Sequence, residues 1–137
     1  MKYLGLDLGL KTLGVAISES GIIAQSLTTI RFENLDFNNA IKELLIIIDI
    51  YKIDTVIIGL PKHMNNDLGD MANYVLEFKE KLLKERNLKV ITWDERLSTR
   101  SALKILSDQK KKHQKQKALK DELAAQIILQ NYLDSKF

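Results

Sequence analysis

Cysteine is absent from the 137 residues, which excludes a disulfide framework, a thiolate nucleophile and any zinc site built on sulfur. Histidine is scarce: His63 and His113 are too few for an imidazole-rich metal site. Long apolar runs are also missing. The longest, Leu44 to Ile48, falls far short of a membrane span, and Asp7 interrupts the N-terminal run before it reaches signal-peptide length. These absences predict a cytoplasmic protein with no membrane contact. No internal repeat or long linker divides the chain, so residues 1–137 read as one domain with room for a proper core.

One stretch lacks acids altogether. Residues 109–120, QKKKHQKQKALK, carry Lys110, Lys111, Lys112, Lys115, Lys117 and Lys120. The whole chain is +3, but without those six lysines it would be −3, so the basic charge is concentrated in one segment. Such a block either flanks a solvated helix or contacts nucleic acid.

What is present is a clear change of period. Residues 2–8 alternate, with Leu4, Leu6 and Leu8 on one face and Tyr3, Gly5 and Asp7 on the other. Residues 12–18 and 22–31 read as two further strands joined by short turns, so an antiparallel meander opens the chain. Leu35, Ile41, Leu44, Leu45, Ile48 and Tyr51 then fall at helical spacing, which predicts a helix over 36–52. A β-branched run at 54–61 and the strand LKVITWD at 88–94 flank a helix at 70–86. Ser98 caps a short helix over 98–107, and a last helix covers 118–135. The expected fold is α/β: a mixed five-stranded sheet, antiparallel first and parallel after, flanked by helices.

Three acids stand out against these patterns. Asp7 sits in an apolar strand, where an unpaired charge costs roughly several kcal/mol. Alternation at the end of the last strand sends Asp94 and Glu95 to opposite faces, so only one can share a site with Asp7. Asp121 falls in register with Ala125, Ile128 and Tyr132, the stripe expected to face the sheet, whereas Glu122 is expected to face outward. Three carboxylates without sulfur or paired imidazole suit a hard cation such as Mg²⁺ or Mn²⁺. Two such ions about 4 Å apart activate a water and stabilise the leaving oxygen of a phosphodiester.

The segments GLDLGLKTLGVAIS, VIIGLPKHM, DERLST and DELAAQIILQNYLD, in this order and spacing, resemble the YqgF family over essentially the whole chain. Its members are described as Holliday junction resolvases and as nucleases that mature the 5′ end of pre-16S ribosomal RNA. The resemblance implies a ribonuclease H-like fold, with the catalytic and metal-holding acids at Asp7, Glu95 and Asp121. It places the family's glycine at Gly9 and its turn at Gly59, Leu60 and Pro61. The chain departs from the family pattern at Leu10, where Thr is common, and at His63, where Asn is usual.

The expected activity is two-metal phosphodiester hydrolysis leaving a 5′-phosphate, with precursor ribosomal RNA the first-choice substrate and four-way junction DNA the second. Lys110, Lys111, Lys112, Lys115 and Lys117 are expected to hold the backbone, and Lys11 to reach a phosphate near the acids. The protein is expected to be a monomer or weak homodimer. Two other readings compete. An actin-like or sugar-kinase ATPase also follows a first-strand D-x-G, but it closes two such domains on the nucleotide. A non-catalytic nucleic-acid or ribosome-assembly module would use the lysines and keep the acids as structure. Trp93 reads as core, Asp94 as a strand-end cap or a residue supporting the ligands, His63 as a loop residue. Arg96 and Arg100 would steady the carboxylates or touch phosphate.

Overall fold

In the computed structural model the described residues are 1–61, 69–94 and 117–136. They form β1 (Tyr3–Leu8), β2 (Thr12–Ser18), β3 (Gln25–Arg31), α1 (Phe37–Tyr51), β4 (Thr55–Leu60), α2 (Gly69–Glu85), β5 (Lys89–Asp94) and α3 (Lys117–Asp134). The predicted helix over 98–107 lies outside them. The strands make one sheet in the order β3-β2-β1-β4-β5. β1 pairs antiparallel with β2 and parallel with β4, so the first strand of the chain is its centre.

The period-two pattern of β1 divides the molecule. Leu4, Leu6 and Leu8 enter a core with Leu13, Val15, Val56 and Ile58, which α1 and α2 cover through Ala40, Ile41, Leu44, Ile48, Val75, Phe78 and Leu82. Tyr3 enters the core of the opposite face with Ala16, Ile57, Ala125, Ile128, Leu129 and Leu133, which α3 covers. Each large apolar side chain buried in either core contributes about 1.5–3 kcal/mol.

α1 starts where the sequence places it. Asp36 is its N-cap, its carboxylate accepting the Asn39 N–H at 3.2 Å. The helix ends at Lys52 in the left-handed conformation, φ 55°. Leu35, counted with the apolar spacing of this helix, lies outside it. It precedes the cap at φ 63° and is 39% exposed.

The predicted third strand begins three residues too early. Residues 22–24 do not join the sheet, because side chains claim their backbone groups. Ser20 Oγ accepts the N–H groups of Ile22 and Ile23 at 3.1 and 3.2 Å. Gln130 Oε1 accepts that of Ala24 at 2.8 Å, and Gln130 Nε2 donates to the Ile22 carbonyl at 2.9 Å.

Candidate active site

Gly5 and Gly14 decide how closely α3 approaches the sheet. A Cβ at Gly5 would lie 2.6 Å from the Leu129 Cβ and 2.8 Å from the Ala125 carbonyl oxygen. A Cβ at Gly14 would fall on the carbonyl of Asp121, with the Glu122 nitrogen 3.2 Å away. The backbone of the first turns of α3 therefore rests directly on β2. Gly14 is the cross-strand partner of Asp7.

Asp7 lies on that same face. Tyr3 belongs to the α3-side core and Gly5 lies under Ala125 and Leu129, so alternation carries the half-buried Asp7 side chain to the α3 side. The backbone of Asp121 thus packs on the strand partner of Asp7, 114 positions away in the chain, near the carboxyl end of the central strand. No sequence pattern singled out Gly14. Its only signal was a glycine inside a strand, which often marks the close approach of another backbone.

The third acid, Glu95, lies outside the described residues, as do His63, Arg96, Arg100, Lys110, Lys111, Lys112 and Lys115. The strand leading to Glu95 is described. Ile91 and Trp93 pack in the α3-side core and Val90 against the other, so odd-numbered residues of β5 share the face of Asp7 and Asp94 does not. Trp93 is core, as predicted: its ring meets Tyr132 edge-on at 5.5 Å. Its indole N–H is buried without a partner among the described residues.

Glu122 departs from expectation. Rather than facing outward, its carboxylate reaches the Thr29 hydroxyl on β3 at 3.4 Å. It opens a polar stripe at four-residue spacing along α3. Ser26 Oγ donates to Gln126 Oε1 at 2.8 Å, and Gln126 Nε2 donates to the Ala24 carbonyl at 3.2 Å. Gln130 continues the stripe on residues 22 and 24, and its Nε2 also donates to Asp134 at 2.9 Å. The reason is where α3 lies: it crosses β1, β2 and β3, so the residue next to Asp121 looks along the sheet toward β3 and not into water.

In donor type the site fits a hard divalent cation. Asp7 on the floor and Asp121 on the helix above it offer carboxylate oxygens, with no sulfur or imidazole among the described residues there. No group of three acids or histidines that could hold a metal occurs among the described residues. Lys11 is exposed in the β1–β2 turn beside this end of the sheet.

A family model described as "RuvX: Holliday junction resolvase" matches residues 1–135. A protein of Onion yellows phytoplasma named "Putative pre-16S rRNA nuclease" is 53% identical over 132 residues, covering 96% of this chain and 87% of the relative. One of the same name from Geobacillus kaustophilus is 47% identical over 137 residues, covering 99% of each. Among solved structures, Thermus thermophilus RuvC in complex with a Holliday junction substrate superposes with a TM-score of 0.64 at 14% identity, covering 98% of this chain and 96% of that one. The Fowlpox virus resolvase in complex with junction DNA gives 0.60 at 15% identity, covering 100% and 99%. These likenesses show the fold, a resolvase-type, ribonuclease H-like sheet.

Proposed function

Since this chain belongs to the RuvX family of Holliday junction resolvases, we propose that it is a nuclease that hydrolyses phosphodiester bonds, acting in the cytoplasm on precursor 16S ribosomal RNA. The observation that carries this reading is the seating of Asp121 on Gly14, the strand partner of Asp7. A fold that needed only a helix over a sheet would not require an acid from each element at the strand end where parallel sheets gather their functional groups.

Asp7, Glu95 and Asp121 would hold the divalent ions, Mg²⁺ or Mn²⁺. For Glu95 this rests on one further step of the β5 alternation past Asp94. Such ions, when bound, supply an activated water and charge stabilisation for the leaving oxygen. The protein's own part is positional. Gly14 sets the height of Asp121, β1 fixes Asp7, and the polar stripe of α3 sets the helix along its axis. Lys11 and the lysines at 110, 111, 112, 115 and 117 hold backbone phosphates, which positions substrate without reading sequence.

The ribosomal substrate rests on the names of the relatives, and junction DNA on the description of the family. One assay separates them. Purified protein is incubated with precursor small-subunit RNA and with four-way junction DNA, with Mg²⁺ or Mn²⁺, beside Asp7→Asn. RNA cleavage that falls at least about a hundredfold in the variant, whose melting temperature stays within a few degrees, supports the reading; loss of several kcal/mol of charge stabilisation predicts that magnitude. Cleavage that survives Asp7→Asn refutes the site, and cleavage of junction DNA alone moves the substrate to DNA.

A further inference from the structure

At the end of the sheet that carries Asp7, two turns are tied together. The Phe32 N–H donates to the Lys11 carbonyl at 3.0 Å, and the Leu35 N–H to the Leu10 carbonyl at 2.8 Å. Packing accounts for none of the four side chains presented there. Leu10 and Leu35 are 45% and 39% exposed and belong to neither core. Leu35 holds the left-handed backbone, φ 63°, which disfavours any residue with a side chain. Lys11 and Arg31 are exposed, and the ion pair found among the described residues, Arg86 with Asp49, involves neither.

Their placement is specific. Arg31 pairs with Thr12 across β2 and β3, two residues beyond Thr29, whose hydroxyl meets Glu122 of α3. Alternation therefore puts Arg31 on the face of Asp7 and Asp121. It lies two strands over and two residues further toward the strand end, so its α-carbon is about 12 Å from that of Asp7.

We propose that these tied turns are a substrate ledge: Lys11 and Arg31 each hold a backbone phosphate, and Leu10 and Leu35 press against an unstacked nucleotide of the strand whose scissile phosphate lies over Asp7. The ledge rests on the reading of Asp7 and Asp121 as a nuclease site. Cations flanking an apolar surface match a nucleic-acid strand, with charge for its phosphates and leucine for a base face or sugar. Apolar side chains gain from bases that have left their stack, not from a continuous duplex. A backbone held in an unfavourable conformation keeps such a surface presented in place. The preferred ligand is therefore a single strand, or a nucleotide at a junction, rather than uniform duplex.

Binding is measured by fluorescence anisotropy in full-length protein carrying Asp7→Asn, so that no cleavage is needed. The probes are a single-stranded RNA and a continuous RNA duplex of the same sequence, over a range of salt concentrations. Arg31→Gln and Lys11→Gln are each expected to lower the slope of log affinity against log salt on the single strand by about 0.7. Lys89→Gln, at the opposite end of the sheet, is expected to leave it unchanged. Leu35→Gly fits the left-handed backbone, so its melting temperature should hold or rise while affinity for the single strand, not the duplex, falls several-fold. Leu10→Ser should act in the same direction. Unchanged slopes in both cation variants, or unchanged single-strand affinity in both leucine variants, would overturn the ledge. Cleavage by the unsubstituted chain is scored separately: altered slopes in a protein that cleaves nothing would sink the nuclease and leave these turns as a strand-binding edge without a scissile phosphate, and unaltered slopes in an active nuclease would overturn the ledge alone.

Discussion

Gly14 has no side chain because the Asp121 carbonyl stands where its Cβ would be. The obstacle is backbone, so no rotamer change relieves it. Gly14→Ala must lift the first turns of α3, and overpacking of this kind costs roughly 1–3 kcal/mol. The expected outcome is a lower urea midpoint together with loss of cleavage larger than the stability change explains, since Asp121 moves with the helix. Full activity in a folded Gly14→Ala protein would show that the height of Asp121 does not matter. At this scale the sequence was informative about Asp7 and Asp121, because each is an acid set against its own element's apolar pattern. It was silent about Gly14, whose role depends on a helix more than a hundred positions away. Leu35 misled for a related reason: its spacing suited α1, but the cap at Asp36 closes the helix after it.

α3 is held by two kinds of interaction, and they do different things. Its apolar side, Ala125, Ile128, Leu129 and Leu133, supplies burial, which is non-directional and tolerates sliding. The stripe Glu122, Gln126 and Gln130 supplies hydrogen bonds to fixed points on β3 and residues 22–24, and these set the axial position. Gln130→Ala removes the acceptor for the Ala24 N–H and the donor to the Ile22 carbonyl. At about 1 kcal/mol per bond, somewhat more for a buried group left unpaired, the variant should lose ~1–3 kcal/mol. The Ala24 amide should lose its protection in hydrogen exchange while the Leu6 amide keeps its own. Equal protection at Ala24 in both proteins would count against the stripe as what holds this segment. These bonds also explain why residues 22–24, with the β-favouring Ile22 and Ile23 among them, stay out of the sheet, which propensity alone could not indicate.

Across the whole molecule, the end of the sheet opposite Asp7 is tied by Asp54. Its carboxylate accepts the Lys2 N–H at 3.0 Å and the Thr55 hydroxyl at 2.8 Å. Burial pushes its pKa up, but these two hydrogen bonds and the N-terminal ammonium outweigh that and hold it below the ordinary value of 3.8. A carboxyl depressed in the folded state stabilises the protein above its unfolded pKa, and that contribution disappears as pH falls through the folded one. Asp54→Asn should therefore be slightly less stable than the parent at pH 7 and lose less stability between about pH 5 and pH 3, followed by thermal unfolding; parallel curves would rule the contribution out. At the same scale, the lysine block gives the chain its basic excess. Replacing Lys110, Lys111, Lys112, Lys115 and Lys117 by Gln should flatten the salt dependence of RNA binding by about 0.7 for each phosphate no longer held, and an unaltered slope would remove the block from the interface.

Local pattern by itself determined the elements: alternation in β1 and β2 and helical spacing over α1 and α3 all depend on residues within one or two turns of each other. It also determined which faces are apolar, and hence which acids were out of place. Only the tertiary structure decided where α3 crosses the sheet, and with it that Asp121 rests on Gly14 beside Asp7, that Glu122 looks to β3, and that residues 22–24 bond to Gln126 and Gln130. The physical reason is range. A side chain's face follows from its neighbours in sequence, whereas the distance and register between two packed elements follow from the fit of surfaces that no local pattern contains.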